Sequence, residues 1–171
     1  MIPDLYRIVD CGAGFLAIMP RPGPEEWLRE EIRDLAALGV TTLVSLLEER
    51  EEYELSLTNE AGIAAEHDIE FLSYPIADRT IPTHLDGFVA FIEKLTDRVL
   101  DGRGVAIHCR AGIGRSGITA AAVLVRIGYD ASSVFDRISQ ARRCPVPDTQ
   151  EQYDWFHRNY QQFLGDSGSA Q

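Results

Sequence analysis

Residues 108–117 read His108-Cys109-Arg110-Ala111-Gly112-Ile113-Gly114-Arg115-Ser116-Gly117. A short apolar run precedes this stretch, and apolar residues at helical spacing follow it from Ile118 to Ile127, so the sequence predicts a strand, a tight loop and a helix. The backbone N–H groups of such a loop and the positive end of the helix dipole favour a tetrahedral anion. There the Cys109 thiol is expected to lose its proton readily, and Arg115 presents a planar fork that fits two phosphate oxygens. The stretch therefore predicts a phosphate pocket that contains a nucleophile.

The pattern Cys109-x5-Arg115-Ser116, with His108 before it, resembles the signature loop of the cysteine-based protein tyrosine phosphatases. The short chain makes the compact dual-specificity branch the nearest resemblance. It implies that Cys109 attacks phosphorus, that Arg115 holds the phosphate oxygens, and that Ser116 donates a hydrogen bond to the departing sulfur. His108 is expected to hold the loop and tune the thiolate. The other loop residues are expected to supply the backbone phosphate cradle: Arg110, Ala111, Gly112, Ile113 and Gly114. The alternative is that Cys109 is a structural cysteine beside a turn. In that case the glycines, the arginine and the hydroxyl of the loop would occur together only by chance.

A second catalytic group is required because an alcohol or phenol oxygen needs a proton as it leaves phosphorus. Asp78 is the candidate acid: it lies in a loop bracketed by prolines, upstream of Cys109 in the order that the dual-specificity family uses. An ordinary aspartate that caps a turn is the alternative. Asp86 is the second candidate, although Thr83 and Asp86 also form a plausible capping box at the start of a helix.

Two further features leave alternatives open. The run Glu48-Glu49-Arg50-Glu51-Glu52 is interpreted as the solvated start of a helix, but one of its glutamates could instead orient Arg115 from behind, as an acidic residue does in related phosphatases. Many members of the family place a glutamine near the start of the last helix to position the hydrolytic water. In this sequence Asp148 takes that place, and Gln152 is a supporting candidate.

The composition limits the partners. A formal charge of −11 argues against general binding to nucleic acid or to anionic membranes. No apolar run approaches the length of a membrane span, and three cysteines far apart do not form a disulfide framework. The four histidines show no ligand spacing, so we expect neither a metal nor another cofactor. These features predict a cytoplasmic protein. The phosphatase resemblance implies that it acts on phosphorylated proteins or peptides, and we expect a monomer.

Strand patterns alternate with helix patterns along most of the chain. They predict an α/β fold with a central, mostly parallel sheet, and the phosphatase resemblance implies four or five strands flanked by helices. The loop that carries Cys109 should leave the carboxyl end of a central strand. Residues 1–164 are expected to form one phosphatase domain and residues 165–171 a disordered tail. The last predicted helix begins with Asp148 as N-cap and Glu151 as its capping-box partner.

The sequence thus predicts a cysteine-dependent phosphatase that hydrolyses phosphotyrosine, and also phosphoserine or phosphothreonine, through a phosphocysteine intermediate. Two alternatives stay open: a phosphatase of a small non-protein phosphate, such as an inositol phosphate or a phosphoinositide, and an inactive relative that only binds phosphate.

Overall fold

A five-stranded sheet forms the centre of the protein in a computed structural model that describes residues 2–165. The strand order is β1-β2-β5-β3-β4; β1 runs antiparallel to β2, and the other neighbours pair in parallel. The predicted mostly parallel α/β sheet is therefore confirmed. The strands are β1 Tyr6–Cys11, β2 Gly14–Met19, β3 Val40–Ser45, β4 Glu70–Ser73 and β5 Gly104–His108.

Helices cover both faces of the sheet. They are α1 Glu26–Ala37, α2 Glu49–Glu54, α3 Glu60–Glu66, α4 Leu85–Leu100, α5 Arg115–Ile127, α6 Val134–Arg142 and α7 Gln150–Asn159, and a 3₁₀ turn, Tyr160–Phe163, follows α7. The helix predicted from Ile118 to Ile127 is part of α5, and the last predicted helix is α7. None of the helices within residues 2–165 has both the length and the apolarity needed to cross a bilayer.

The two central strands, β2 and β5, are buried on both faces, as their continuous apolar runs require. Alternate residues enter two separate cores because side chains alternate along a strand. Leu16, Ile18, Val105 and Ile107 pack with the face that carries α4 and α5, whereas Phe15, Ala17, Met19 and Ala106 pack with the face that carries α1 and α3. This alternation decides which way the residues at the end of β5 point.

Two capping predictions are wrong. α4 begins after His84 without a side-chain cap, so Thr83 and Asp86 form no capping box. At α7 the N-cap is Thr149 and its partner is Gln152, one residue beyond the predicted Asp148 and Glu151. Threonine caps helices by the same hydrogen bond as aspartate, so the sequence alone did not separate the two registers.

The predicted tail, residues 165–171, lies outside the described residues except for Gly165.

Candidate active site

The loop between β5 and α5 lines a cavity of about 130 Å³ at the carboxyl end of the central strand. The cavity is lined by Asp78, Arg79, Cys109, Arg110, Ala111, Gly114, Arg115, Asp148 and Gln152. It brings a thiol, three guanidinium groups and two carboxylates together. A larger cavity of about 880 Å³ between α1 and α3 has an acidic rim but neither a thiol nor an imidazole in its lining.

Backbone contacts on two sides hold the loop in shape. Gly112 has φ +70°, and a Cβ at this position would lie 2.4 Å from the backbone of Met19, so only glycine fits against the end of β2. The Arg142 guanidinium donates to the carbonyl oxygens of Gly112 and Ala111 at 3.2 and 3.0 Å. The loop carbonyls are thus engaged from α6, a contact that the sequence did not predict.

Arg115 is 1% exposed and uses most of its donors inside the protein. Its Nη1 donates to Glu51 Oε2 at 2.7 Å and to the Ile76 carbonyl at 2.8 Å. Its Nη2 donates to Glu51 Oε1 at 2.9 Å and to Asp78 Oδ1 at 2.9 Å. Within residues 2–165, the Nε–H has no acceptor. A guanidinium has five N–H groups, so one is left for a ligand, and a second becomes available if Asp78 moves.

Glu51 is the glutamate of the 48–52 run that contacts Arg115, an alternative that the sequence left open. It is 6% exposed and binds Arg115 through both carboxylate oxygens, so the interpretation of the whole 48–52 run as solvated is wrong at this position. Burial on its own would raise the pKa of Glu51. The hydrogen bond from Arg115, the Glu48 N–H and the charge of Arg110 outweigh burial and lower the pKa. Glu51 is therefore ionised and fixes the orientation of the guanidinium.

Asp78 lies where the sequence predicted an acid. Its side chain is 49% exposed, it lines the cavity, and it contacts Arg115. Asp86 is exposed on α4 and does not line the cavity. The neighbouring Arg79 has φ +59° and reaches across the cavity, where its Nε lies 3.6 Å from Asp148 Oδ2.

Gln152 is fully buried and connects three parts of the site. Its Nε2 donates to the Thr80 carbonyl at 3.1 Å, and its Oε1 accepts from the Thr149 N–H at 3.1 Å. A Cβ on Gly114 would lie 2.8 Å from its amide atoms, so Gln152 also touches the phosphate loop. Gln152 and Asp148 both line the cavity, which the sequence could not establish because it depends on how α7 docks.

Ser116 and His108 lie in the protein interior, each next in sequence to a residue that lines the cavity. Both are fully buried, and in the part of the chain that the structure describes the Ser116 Oγ has no hydrogen-bond partner. His108 Nε2 lies 2.6 Å from Glu60 Oε1, and Nδ1 lies 3.2 Å from the Cys109 carbonyl oxygen. Glu60 was missed by the sequence analysis, because a glutamate in the first turn of a helix normally faces solvent.

Neither of the other two thiols lines the cavity. Cys11 and Cys144 are free and half-buried. Among residues 2–165, no three His, Cys, Asp or Glu side chains are grouped so that they could hold a metal ion.

Residues 17–129 match the family model described as "Tc-R-P: Polymorphic toxin system, DSP-PTPase phosphatase". The matched span contains Asp78, Cys109 and Arg115. Among curated proteins, the chain is 28% identical over 122 residues to the tyrosine-protein phosphatase Lar of Drosophila melanogaster, a match that covers 67% of this chain and 6% of Lar. It is 26% identical over 134 residues to the putative tyrosine phosphatase 067L of Invertebrate iridescent virus 3, covering 74% of this chain and 52% of that protein. The chain thus spans about half or less of these relatives.

Solved structures share the fold over nearly the whole chain. Kinase associated phosphatase, in a form with its catalytic-site cysteine replaced by serine, gives a TM-score of 0.85 at 20% identity and covers 95% of this chain and 97% of its own. Tk-PTP in its active form gives 0.76 at 25% identity, with coverage of 94% and 99%. The fold, the loop geometry and the family match lead to one conclusion: the chain belongs to the dual-specificity-type phosphatases of the cysteine-based protein tyrosine phosphatase superfamily.

Proposed function

We propose that the protein hydrolyses phosphomonoesters on proteins, phosphotyrosine and also phosphoserine or phosphothreonine, through a phosphocysteine intermediate on Cys109. One observation carries this proposal: Asp78, which is distant in sequence, contacts Arg115 at the mouth of the loop that holds Cys109. A loop that only binds phosphate has no need of a carboxylate at this position, since a carboxylate opposes an anionic ligand.

In the first step, the substrate phosphate enters the cavity and takes the Nε–H and Nη2–H donors of Arg115. These two groups lie on one side of the guanidinium, and Nη2 donates to Asp78 Oδ1 at 2.9 Å. Substrate binding therefore releases Asp78. The Cys109 thiolate then forms the S–P bond, the P–O bond to the substrate breaks, and the departing oxygen takes a proton from Asp78.

In the second step, a water molecule attacks the phosphocysteine and gives its proton to Asp78. The S–P bond breaks, phosphate is released, and the sulfur leaves as a thiolate. The unpartnered Ser116 hydroxyl donates a hydrogen bond to this thiolate, and Gln152 and Asp148 position the water. The loop N–H groups and Arg115 stabilise the charge on the equatorial oxygens in both steps.

We further propose that residues 1–164 form one catalytic domain that works as a monomer in the cytoplasm, a reducing compartment that keeps Cys109 as a free thiol.

A second candidate is a small phosphate ester such as an inositol phosphate or a phosphoinositide. It is favoured by Arg79 and Arg110, two guanidinium groups in the cavity lining besides Arg115, which supply donors for a further anionic group.

The test is hydrolysis of a substrate panel by wild type, Cys109→Ser and a matched control, Cys144→Ser. The panel contains phosphotyrosine peptides, phosphoserine and phosphothreonine peptides, and phosphoinositides. We expect turnover of the peptides by wild type and Cys144→Ser and none by Cys109→Ser, because a serine hydroxyl is far less ionised than a thiol. Turnover of phosphoinositides alone selects the second candidate, and turnover by Cys109→Ser contradicts both.

A further inference from the structure

His108 points away from the catalytic cavity. Side chains alternate along β5, so Ile107 and Cys109 face the core under α5, whereas His108 faces the side covered by α1, α2 and α3. There it meets Glu60, the first residue of α3. Both side chains are buried, with 0% and 1% exposure. A carboxylate and an imidazole thus form a closed pair directly behind the nucleophile.

Both ring nitrogens of His108 face acceptors. Nε2 lies 2.6 Å from Glu60 Oε1, and Nδ1 lies 3.2 Å from the carbonyl oxygen of Cys109. A neutral imidazole has one N–H and can satisfy only one acceptor, whereas an imidazolium donates to both. The short Nε2–Oε1 distance is typical of a charge-assisted hydrogen bond. The geometry therefore indicates an imidazolium paired with a carboxylate.

The surroundings of His108 are acidic on every packed side. Glu31 from α1, Glu52 from α2 and Glu60 from α3 all act on it electrostatically, and the Cys109 sulfur acts on it from its own loop. Burial is the largest single influence on the pKa of His108 and lowers it. The charge of Glu60, its hydrogen bond and the contacts with Cys109 together outweigh burial and raise the pKa.

A purely structural role does not explain this pair. The Glu60 Oε2 is buried without a hydrogen-bond partner among residues 2–165, which costs free energy. Buried ion pairs are often replaced by apolar residues without loss of stability. The carboxylate is therefore better explained by its effect on the neighbouring nucleophile.

We propose that Glu60 is a positioning residue that keeps His108 protonated, so that the imidazolium favours the Cys109 thiolate and holds the Cys109 carbonyl away from the phosphate cradle. This inference rests on the proposed role of Cys109 as nucleophile. Glu60 touches neither substrate nor sulfur; it acts through His108.

The first test is made on the wild-type protein and needs no variant at this site. Nitrogen-15 NMR of histidine-labelled protein reports the protonation of each ring nitrogen. The His108 signals are assigned by elimination with His67→Asn, His84→Asn and His157→Asn. We expect both His108 nitrogens to be protonated at pH 7. A ring with one protonated nitrogen at that pH overturns the proposal, and this test stands even if Glu60 variants fail to fold.

The second test measures how fast iodoacetamide alkylates Cys109 as pH varies, with mass spectrometry to separate Cys109 from Cys11 and Cys144. Glu60→Gln keeps the shape and removes the charge, so a neutral His108 results. We expect the profile to move up by about one pH unit, which is about a tenfold slower reaction at pH values well below both midpoints. Glu66→Gln, on the same helix but exposed, is the matched control and should leave the profile unchanged.

A double-mutant cycle shows whether Glu60 acts through His108. In a His108→Asn background, Glu60→Gln should have little further effect, because its target is gone. An unchanged Glu60→Gln profile, or a full effect that persists in the His108→Asn background, overturns the inference. Alkylation of Cys109 does not require turnover. If the wild-type protein hydrolyses no phosphate ester, the proposed function is wrong, but the alkylation profiles still test the role of Glu60.

Discussion

At the residue scale, the site depends on one buried guanidinium. Arg115 is almost completely removed from water, and a buried charge is tolerated only when it is paired and hydrogen-bonded. Glu51 and the Ile76 carbonyl provide this pairing on the side away from the cavity. They leave the Nε–H and one Nη2–H of Arg115 on the side where Asp78 lies. A lysine has no planar fork of donors and could not make the same set of contacts.

Arg115→Lys tests this account. Lysine keeps the charge but has no planar fork of donors. It therefore cannot donate one pair of parallel hydrogen bonds to Glu51 and a second pair to a phosphate. We expect transition-state stabilisation to fall by about 2–4 kcal/mol, as a lower kcat/KM together with weaker phosphate binding. Steady-state kinetics and calorimetric titration with inorganic phosphate measure the two effects. Constants indistinguishable from those of wild type would contradict the assigned geometry.

The leaving group decides how much Asp78 matters. An aryl phosphate with a strongly electron-withdrawing ring leaves as a stable anion, whereas a tyrosine or serine oxygen needs a proton. Asp78→Asn should therefore slow the hydrolysis of phosphopeptides by about 10²–10³-fold and that of the activated ester much less. Asp86→Asn is the matched control, because this exposed aspartate lies outside the cavity. Equal slowing of both substrates by Asp78→Asn would show that Asp78 is only structural.

At the element scale, the phosphate loop is shaped by its neighbours as much as by its own residues. The end of β2 presses against Gly112, and Arg142 from α6 engages the loop carbonyls while its guanidinium lies 4.2 Å from the ring centre of Tyr6 on β1. The backbone of the loop is thus held from outside by β2 and α6.

Gly112→Ala should break this arrangement. The added methyl would overlap the Met19 backbone, and φ +70° is strained for alanine, so the loop must move. We expect phosphate binding and turnover to be lost while most of the secondary structure is kept, as measured by calorimetric titration and circular dichroism. Gly62→Ala is the control, since a Cβ at Gly62 in α3 meets nothing within 4 Å. Full activity of Gly112→Ala would contradict the described loop conformation.

At the scale of the whole molecule, Glu70 joins several elements. It accepts hydrogen bonds from Arg98 at 2.8 and 3.0 Å, from Arg103 at 3.2 Å and from Thr42 at 3.3 Å, and so ties β4 to β3, to α4 and to the turn before β5. The hydrogen bonds from Arg98, with the charges of Arg98 and Arg103, lower the pKa of Glu70. A carboxyl with a lowered pKa stabilises the fold above its unfolded-state pKa, and this contribution disappears as pH falls through the folded-state pKa.

Glu70→Gln should therefore lower the free energy of unfolding at pH 7 by about 1–2 kcal/mol, and the difference from wild type should vanish toward pH 3. Denaturant unfolding at the two pH values measures this. Glu66→Gln, which breaks only an exposed pair with Arg29, should change the stability little at either pH. A Glu70→Gln difference that persists unchanged at low pH would exclude the ion-pair network as its cause.

The sequence predicted the sheet and the strand, loop and helix around Cys109, and it marked Asp78 as the candidate acid, because each has a local signature. Strand alternation, the spacing of Cys109 and Arg115, and prolines around Asp78 are all readable along the chain. Glu51, Glu60 and Arg142 were not predictable with certainty, because their roles depend on which side chains other elements turn toward them. The N-cap at Thr149 also depends on contacts between elements. Gln152 becomes its capping partner because Gln152 packs against Thr80 and Gly114, which helix propensity does not predict.

The central claim is that phosphate passes through Cys109. It is tested most directly by rapid quenching during turnover, followed by mass spectrometry of the peptides. The account predicts one phosphoryl group on the peptide that contains Cys109, more of it in Ser116→Ala because loss of the hydroxyl slows the second step, and none in Cys109→Ser. Turnover without a covalent phosphate on Cys109, or with the phosphate on another residue, would contradict it.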